Sequence, residues 1–220
     1  MNVLVIEGSR LAQSNTASIV SFLKSQIESM GSTVEVSRVP RWGAPLQEFD
    51  GILDKVRNCE AVVLAAPLYL DNLPAVTQRM CEEFYARRTT LEGVRPRFYG
   101  IAHSGFPESV QRQAELRSMQ LFGEAVGWSW QGGAGFGGTS PIAGRPLEEA
   151  GVFARRLRQG LPMVARDIVA GRPLSARTAK RCSRSPLPAP RRLINRLINA
   201  GTRKAAKAAG VDIGARPYAR

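Results

Sequence analysis

Glu60-Ala-Val-Val-Leu-Ala-Ala66 is a near-continuous apolar run that stops at Pro67. It is too short for a helix and too apolar for a strand with one face in water, so it demands cover on both sides. A strand of that kind belongs in a parallel sheet sandwiched between helices. The rest of the chain supplies the remaining pieces. Met1 to Glu7 is a short run rich in β-branched residues, and a helical pattern follows with Val20, Leu23, Ile27 and Met30 on one face. Ser32 to Val39 reads as a second strand, and a short helix from about Asp50 carries Ile52, Leu53 and Val56. After Ala66, residues Ala75 to Arg88 repeat Val76, Met80 and Phe84 at helical spacing. Arg97 to Ala102 is a fourth strand, and residues 109–126 are helical, with Val110, Leu116, Met119, Leu121 and Phe122 as their apolar set and Gly127 as the stop. Trp128-Ser-Trp-Gln131 reads as a fifth strand, and Leu147 to Ala170 as a last helix kinked by Gly160 and Pro162. Alternation of this kind, with right-handed crossovers, predicts an α/β fold: a doubly wound five-stranded parallel sheet.

Such sheets bind ligands at the carboxyl ends of their strands, where the strand order reverses. In the order 2-1-3-4-5 the reversal lies between strands one and three, which brings the Gly8–Thr16 loop opposite the Pro67–Pro74 loop. The loop His103-Ser-Gly-Phe-Pro107 flanks both. Gly8-Ser-Arg-Leu-Ala-Gln-Ser-Asn-Thr16 opens a helix, whose free N–H groups and partial positive charge suit an anion. Ser9, Ser14 and Thr16 add hydroxyls, Asn15 an amide and Arg10 a full charge, a set suited to phosphate. Ser14 or Asn15 is equally readable as a simple helix cap.

Other chemistries have little to build on. Three cysteines at wide spacings, Cys59, Cys81 and Cys182, argue for free thiols and against a disulfide framework, zinc site or iron–sulfur cage. A Ser/His/Asp triad would have to rest on the single histidine, His103. Gly133-Ala-Gly-Phe-Gly-Gly138 matches G-x-G-x-x-G but comes after the last strand and leads into Pro141, so it reads as a flexible loop. Glu82-Glu83 reads as a solvated surface pair. No run approaches the roughly 18 apolar residues of a membrane span, and the N-terminal apolar run has no basic segment ahead of it. The expected location is cytoplasmic.

The phosphate-type loop taken together with Ala66-Pro-Leu-Tyr-Leu-Asp-Asn-Leu-Pro74 resembles the NADPH-dependent FMN reductase family of flavodoxin-like proteins, over roughly residues 1–140. The resemblance implies that Ser9, Arg10, Ser14, Asn15 and Thr16 hold the FMN phosphate. It also implies that Pro67, Leu68, Tyr69, Leu70, Asp71 and Asn72 lie along the isoalloxazine ring. Ser104, Gly105 and Phe106 complete the implied pocket, and N–H groups at Leu70 to Asn72 and Ser104 to Phe106 would face negative charge developing at flavin N1 and O2. Tyr69 reads either as a ring-stacking residue or as a cap on the sheet end. Phe106 and Trp42 read as pocket wall, core or dimer contact. No close cysteine cluster of the iron–sulfur relatives occurs between Val39 and Asn58.

The implied activity is FMN-dependent NAD(P)H oxidation, with the hydride passed to a small acceptor such as a quinone, a nitro or azo compound, or free flavin. A homo-oligomer is expected from the same resemblance. The alternative is a non-enzymatic FMN-binding electron-transfer module tethered by its tail.

That tail dominates the charge. The formal net charge is +13 and the isoelectric point about 10.8, yet residues 1–171 carry 18 basic and 17 acidic residues, against 13 and one in residues 172–220. The composition reads as a domain at 1–171, an Arg/Ser/Pro linker at 172–190 and a basic amphipathic tail at 191–220. Leu193, Ile194, Leu197 and Ile198 form its apolar stripe beside Arg192, Arg196, Arg203, Lys204 and Lys207. Such a helix packs on its own protein, lies on an anionic membrane or docks on an acidic partner. Nucleic acid is disfavoured, because no aromatic residue interleaves the basic ones before Tyr218.

Overall fold

The computed structural model describes residues 1–184 and 191–215, apart from the side chains of residues 191–195, 197 and 198. Five strands, β1 (Asn2–Glu7), β2 (Thr33–Arg38), β3 (Ala61–Pro67), β4 (Arg97–His103) and β5 (Ser129–Phe136), form one sheet in the order β2-β1-β3-β4-β5. Every pairing is parallel, in the register Val3↔Val34 and Val3↔Ala61. All seven residues of β3 are buried, as its uninterrupted apolar run requires. The predicted fold and strand order are therefore the ones found.

The alternation of side chains along each strand divides the core in two. Val3, Val5, Val63 and Tyr99 pack with α1 (Asn15–Glu28) and α5 (Arg155–Val169) on one face. Leu4, Ile6, Val62 and Phe98 pack with α2 (Leu46–Arg57), α3 (Ala75–Ala86) and α4 (Gln111–Ala125) on the other. On that second face Phe84, Phe98, Phe122, Trp128 and Trp130 form a connected aromatic cluster with centroids 5.3–6.4 Å apart. Edge-on packing of this kind adds to simple area burial.

Three expectations are corrected. The glycine-rich segment is a loop only at Gly137 and Gly138: β5 continues through Gly132, Gly133 and Gly135 to Phe136. A Cβ on Gly133 would lie 2.5 Å from Leu116 Cδ2, so these glycines let α4 approach the sheet closely. The buried face of α4 is Arg112, Glu115, Met119 and Gly123, whereas Val110 and Leu121 are exposed. The last helix is shorter than predicted: residues 151–154 are a 3-10 turn, and α5 starts at Arg155.

Residues 172–190, read as linker from composition, hold a further helix, α6 (Ala176–Ser183). A buried carboxylate fixes it. Asp167 Oδ2 accepts from Thr178 Oγ1 at 2.7 Å and from the Ser175 N–H at 3.1 Å, while Oδ1 pairs with Arg172 at 2.8 Å. The chain divides into two compact units, residues 1–186 and 187–220. The second contains α7 (Arg191–Ala208). The apolar stripe at Leu193, Ile194, Leu197 and Ile198 lies outside the described side chains. Among the described residues no helix is long and apolar enough to cross a membrane.

Candidate functional site

The loops after β1, β3 and β4 meet at the carboxyl end of the sheet, over the switch point between β1 and β3. Gly8 is required there by crowding and not by an unusual φ. A Cβ at this position would come within 2.7 Å of Ala66 Cβ, and Gly8 is absent from the positive-φ residues. Its N–H donates to Ala65 O at 2.7 Å, and its carbonyl accepts from Thr77 Oγ1 of α3 at 2.9 Å. The start of the loop is thus clamped between β3 and α3.

Ser14, Asn15 and Thr16 spend their side chains on the protein. Ser14 is the N-cap of α1, its Oγ accepting from the Ala17 N–H at 3.0 Å. Asn15 Nδ2 donates to Thr139 O, and its Oδ1 accepts from the Gly144 N–H, tying α1 to the segment after β5. Thr16 Oγ1 lies 2.8 Å from His103 Nε2 in a buried contact. His103 Nδ1 is 3.3 Å from Thr139 Oγ1, whose own hydrogen goes to Ser104 O. That chain places the imidazole proton on Nδ1 and leaves Nε2 to accept from Thr16. Burial and the nearby Arg112 push His103 down to about 4, so it is neutral.

The unspent donors are elsewhere in the loop. Among the described residues the backbone N–H groups of residues 9–16 find no acceptor, as expected of a loop entering a helix N-terminus. Ser9 is buried with its hydroxyl unbonded, and Arg10 is exposed with no hydrogen bond or ion pair, again among the described residues. Beneath them lies a charge that opposes an anion. Glu7 is buried at the end of β1, with Oε2 on Arg38 at 3.2 Å and Oε1 without a partner. Burial raises its pKa, against the pull of Arg38 and the Ser14 hydroxyl.

The β3 loop is a tight hairpin turn. Tyr69 and Asn72 exchange backbone hydrogen bonds at 2.9 and 3.1 Å, and Leu70 and Asp71 between them have φ of 48° and 65°. Two successive positive φ values make the turn the primed kind that favours Asn-Gly. Leu70 is 102% exposed and Tyr69 60%. Pro67 is buried, and the Leu68 N–H donates to His103 O at 2.8 Å. Asn72 Oδ1 accepts from the Leu73 N–H. The free N–H groups of this loop are those of Leu70 and Asp71, since Asn72 donates to Tyr69.

The β4 loop is braced from behind. Ser104 N–H donates to Phe136 O, and the carbonyl of Phe106 accepts from the Gly138 N–H. Arg112, almost wholly buried, donates through Nη1 to Ser104 Oγ (2.8 Å), Phe106 O (3.2 Å) and Glu108 O (2.9 Å). Gly105 abuts Ser140, where a Cβ would fall 2.3 Å from Oγ. Phe106 is exposed, as is Trp42 from the loop after β2. Leu11, Tyr69 and Leu70, from the loops after β1 and β3, are exposed as well.

Sequence reasoning missed Arg112, Glu115, Thr139 and Gly144. Arg112 and Glu115 are three apart on the inner face of α4, a place where charges are rarely buried, and the one available signal was the glycine spacing of β5. A Cβ at Gly137 would lie 2.6 Å from Arg112 Nη1.

This sheet order, with its three loops over the β1/β3 switch point, defines a flavodoxin-like α/β protein. Among solved structures of that fold, an NADH:FMN oxidoreductase in its apo form matches with a TM-score of 0.58 and 13% identity, over 86% of this chain and 97% of that one. An azoreductase from Bacillus anthracis matches at 0.54 and 12%, over 75% and 98%. A flavone reductase matches at 0.54 and 16%, over 76% of this chain, which spans 64% of that protein's length. At such identities the likeness establishes the fold. No protein-family profile and no curated protein matches the chain.

Proposed function

We propose that the protein is an FMN-dependent oxidoreductase that takes a hydride from NADH or NADPH and delivers it to a small acceptor. The observation that carries the reading is that the loops flanking one switch point hold unspent donors and exposed aromatic and aliphatic side chains. The N–H groups of residues 9–16, with Ser9 and Arg10, suit a phosphate monoester, while Tyr69, Leu70 and Phe106 suit a flat aromatic group. The residues present fit FMN on these grounds. The names of the three structures given above, each a reductase or oxidoreductase, support the same reading.

Bound FMN would supply reversible hydride acceptance. The chain's own residues do the rest. Ser14 caps α1 through the Ala17 N–H, while Asn15 and Thr16 anchor the loop to Thr139, Gly144 and His103, so that its unspent N–H groups are offered as donors without reorganisation. Pro67 to Asn72 support the ring, with the N–H groups of Leu70 and Asp71 as donors toward it. Gly105 and Phe106, whose N–H groups are also unspent, offer a second pair. Arg112 acts from behind this segment as a positioning cation. The exposure of Tyr69, Leu70 and Phe106 suits a flat acceptor such as a quinone, an azo or nitro compound, or free flavin, and a second copy of the chain is a further candidate to cover them. The basic α7 favours a second reading, an electron-transfer module docked on an acidic partner or an anionic membrane.

The test is an absorbance spectrum after incubation with FMN and desalting, followed by anaerobic addition of NADPH or NADH. Retained flavin that bleaches within mixing time is the expected result. Retained flavin that stays oxidised favours the electron-transfer reading, and loss of flavin on desalting overturns both.

A further inference from the structure

About half of the excess positive charge lies ahead of the 191–220 tail. Residues 1–154 carry 14 basic and 16 acidic residues, whereas residues 155–184, which form α5 and α6, carry nine and one. The fold turns this excess into a surface with a shape. Gln159, Met163 and Arg166 share one stripe of α5 at helical spacing, and Arg177, Lys180, Arg181 and Arg184 share one stripe of α6 and the residue after it. The two stripes line a single groove of about 740 Å³. Seven residues of helix give each stripe a length of roughly 10 Å.

The groove is rigidly built. Its one acidic residue, Asp167, is buried and already committed to Arg172, Ser175 and Thr178. At the other end Cys182 is buried where a Cβ on Gly160 would lie 2.9 Å from both its Sγ and the Phe136 ring. Phe136 closes β5, so this end of α6 sits at the carboxyl end of the sheet.

The cations are left without counter-charge. Arg181 donates to the neutral Gln159 Oε1 at 2.6 Å. Arg156, Arg166, Arg177, Lys180 and Arg184 make no hydrogen bond or ion pair among the described residues. Burial and the neighbouring Arg181, Arg184 and Arg155 all pull Arg156 below the usual guanidinium range. Like charges held this close destabilise the body that carries them, and an anion in the groove reverses the sign of that term.

The geometry points to a site between α5 and α6 for a small molecule bearing consecutive phosphates, a polyphosphate chain either free or attached to a nucleoside. The volume lies in the range of small-molecule pockets. Guanidinium forks match phosphate oxygens two at a time. A membrane would need an apolar face beside the charges, and among the described residues Met163 is the groove's only large apolar lining residue. A single strand of nucleic acid would need stacking aromatics, and none lines the groove.

The test is calorimetric titration of the full-length protein with inorganic tripolyphosphate and, separately, with ATP. Saturable one-to-one binding is expected, weakening as salt rises. Equal affinities identify the phosphate chain alone as the ligand, and tighter ATP binding adds the nucleoside. Arg177→Gln with Lys180→Gln should weaken binding at least tenfold while leaving the ligand-free melting temperature unchanged or higher, because both side chains are exposed and unbonded. Should that variant melt lower, Arg166→Gln with Arg184→Gln tests the same groove from its other ends. A tail variant, Arg203→Gln with Lys204→Gln and Lys207→Gln, should bind as the parent does. The proposal is overturned by absence of saturable binding. It is equally overturned by binding that survives the α5 and α6 substitutions, or by binding confined to anionic vesicles, long nucleic acid or a glutamate-rich peptide.

Discussion

Two buried titratable side chains hold the site from below, and each carries a distinct pH signature. His103 is neutral between Thr16 and Thr139 and is held down to about 4. An unfolded histidine titrates near 6.5, so the unfolded chain takes up a proton that the folded one refuses. Its contribution is present above pH 6.5 and is lost as pH falls through 4. Stability measured by urea unfolding should therefore drop between pH 6.5 and 4.5, and His103→Gln should flatten that drop while costing about 1–3 kcal/mol at pH 7 through the lost contacts. Glu115 works in the opposite sense. Both its oxygens are buried without a partner, and burial, opposed by Arg112, pushes it up to about 9. The folded state holds its proton where the unfolded state has released it. Stability is complete below the unfolded value near 4.5 and declines as pH rises toward 9. Glu115→Gln should remove that decline, leaving the variant more stable than the parent by on the order of 2 kcal/mol at pH 8, read from urea midpoints at pH 5 and pH 8.

At the scale of the element, the Tyr69–Asn72 turn shows where local sequence and observed backbone disagree. Leu70 and Asp71 occupy left-handed φ values that cost L-residues about 1–2 kcal/mol each, and the side chain of Leu70 recovers nothing by burial. Leu70→Asn with Asp71→Gly should raise stability by roughly 1–2 kcal/mol in a denaturant titration. Retention of FMN by the relaxed turn then reports whether the leucine serves the ligand, since a loss of flavin despite the gain in stability assigns it that role. The turn was legible only in part. Pro67 and Pro74 bracketed the loop, but nothing in Leu-Asp signals a primed turn, because the residues that normally announce one are absent. The strands were legible for a simpler reason. Val3 to Ile6 and Ala61 to Ala66 are buried on both faces, so the sequence there admits little but apolar residues. The glycines of β5 misled because glycine ordinarily marks a loop, whereas here it admits Leu116 and Arg112 of α4. The same exchange hid Arg112, which lies against Gly135 and Gly137.

Across the whole molecule the same limit applies to charge. The sequence shows that the last fifty residues are basic, but only the fold shows that Arg172, Arg177, Lys180, Arg181 and Arg184 return to the body and face α5 while the remaining cations belong to the second unit. That the loops after β1 and β3 flank one switch point could be read ahead of the structure, because each follows its own strand. The α5/α6 groove could not, because it depends on Asp167 capturing Ser175 and Thr178 and on Cys182 finding the space beside Gly160. Self-repulsion in this groove has a measurable consequence that does not depend on any ligand being identified. Charges a few ångströms apart are screened progressively as the Debye length falls from about 10 Å at 0.1 M salt to about 3 Å at 1 M. The melting temperature should rise by roughly 2–4 °C on going from low to moderate sodium chloride, the shift produced by about 1 kcal/mol in a chain of this size. Arg177→Gln with Lys180→Gln should start from the higher temperature and respond less to salt. A tail variant with equal charge removed at Arg203 and Lys204, neither of which lines the groove, should keep the parent's full response. An equal loss of salt response in both variants would mean that the repulsion is spread over the whole chain instead of being focused by α5 and α6.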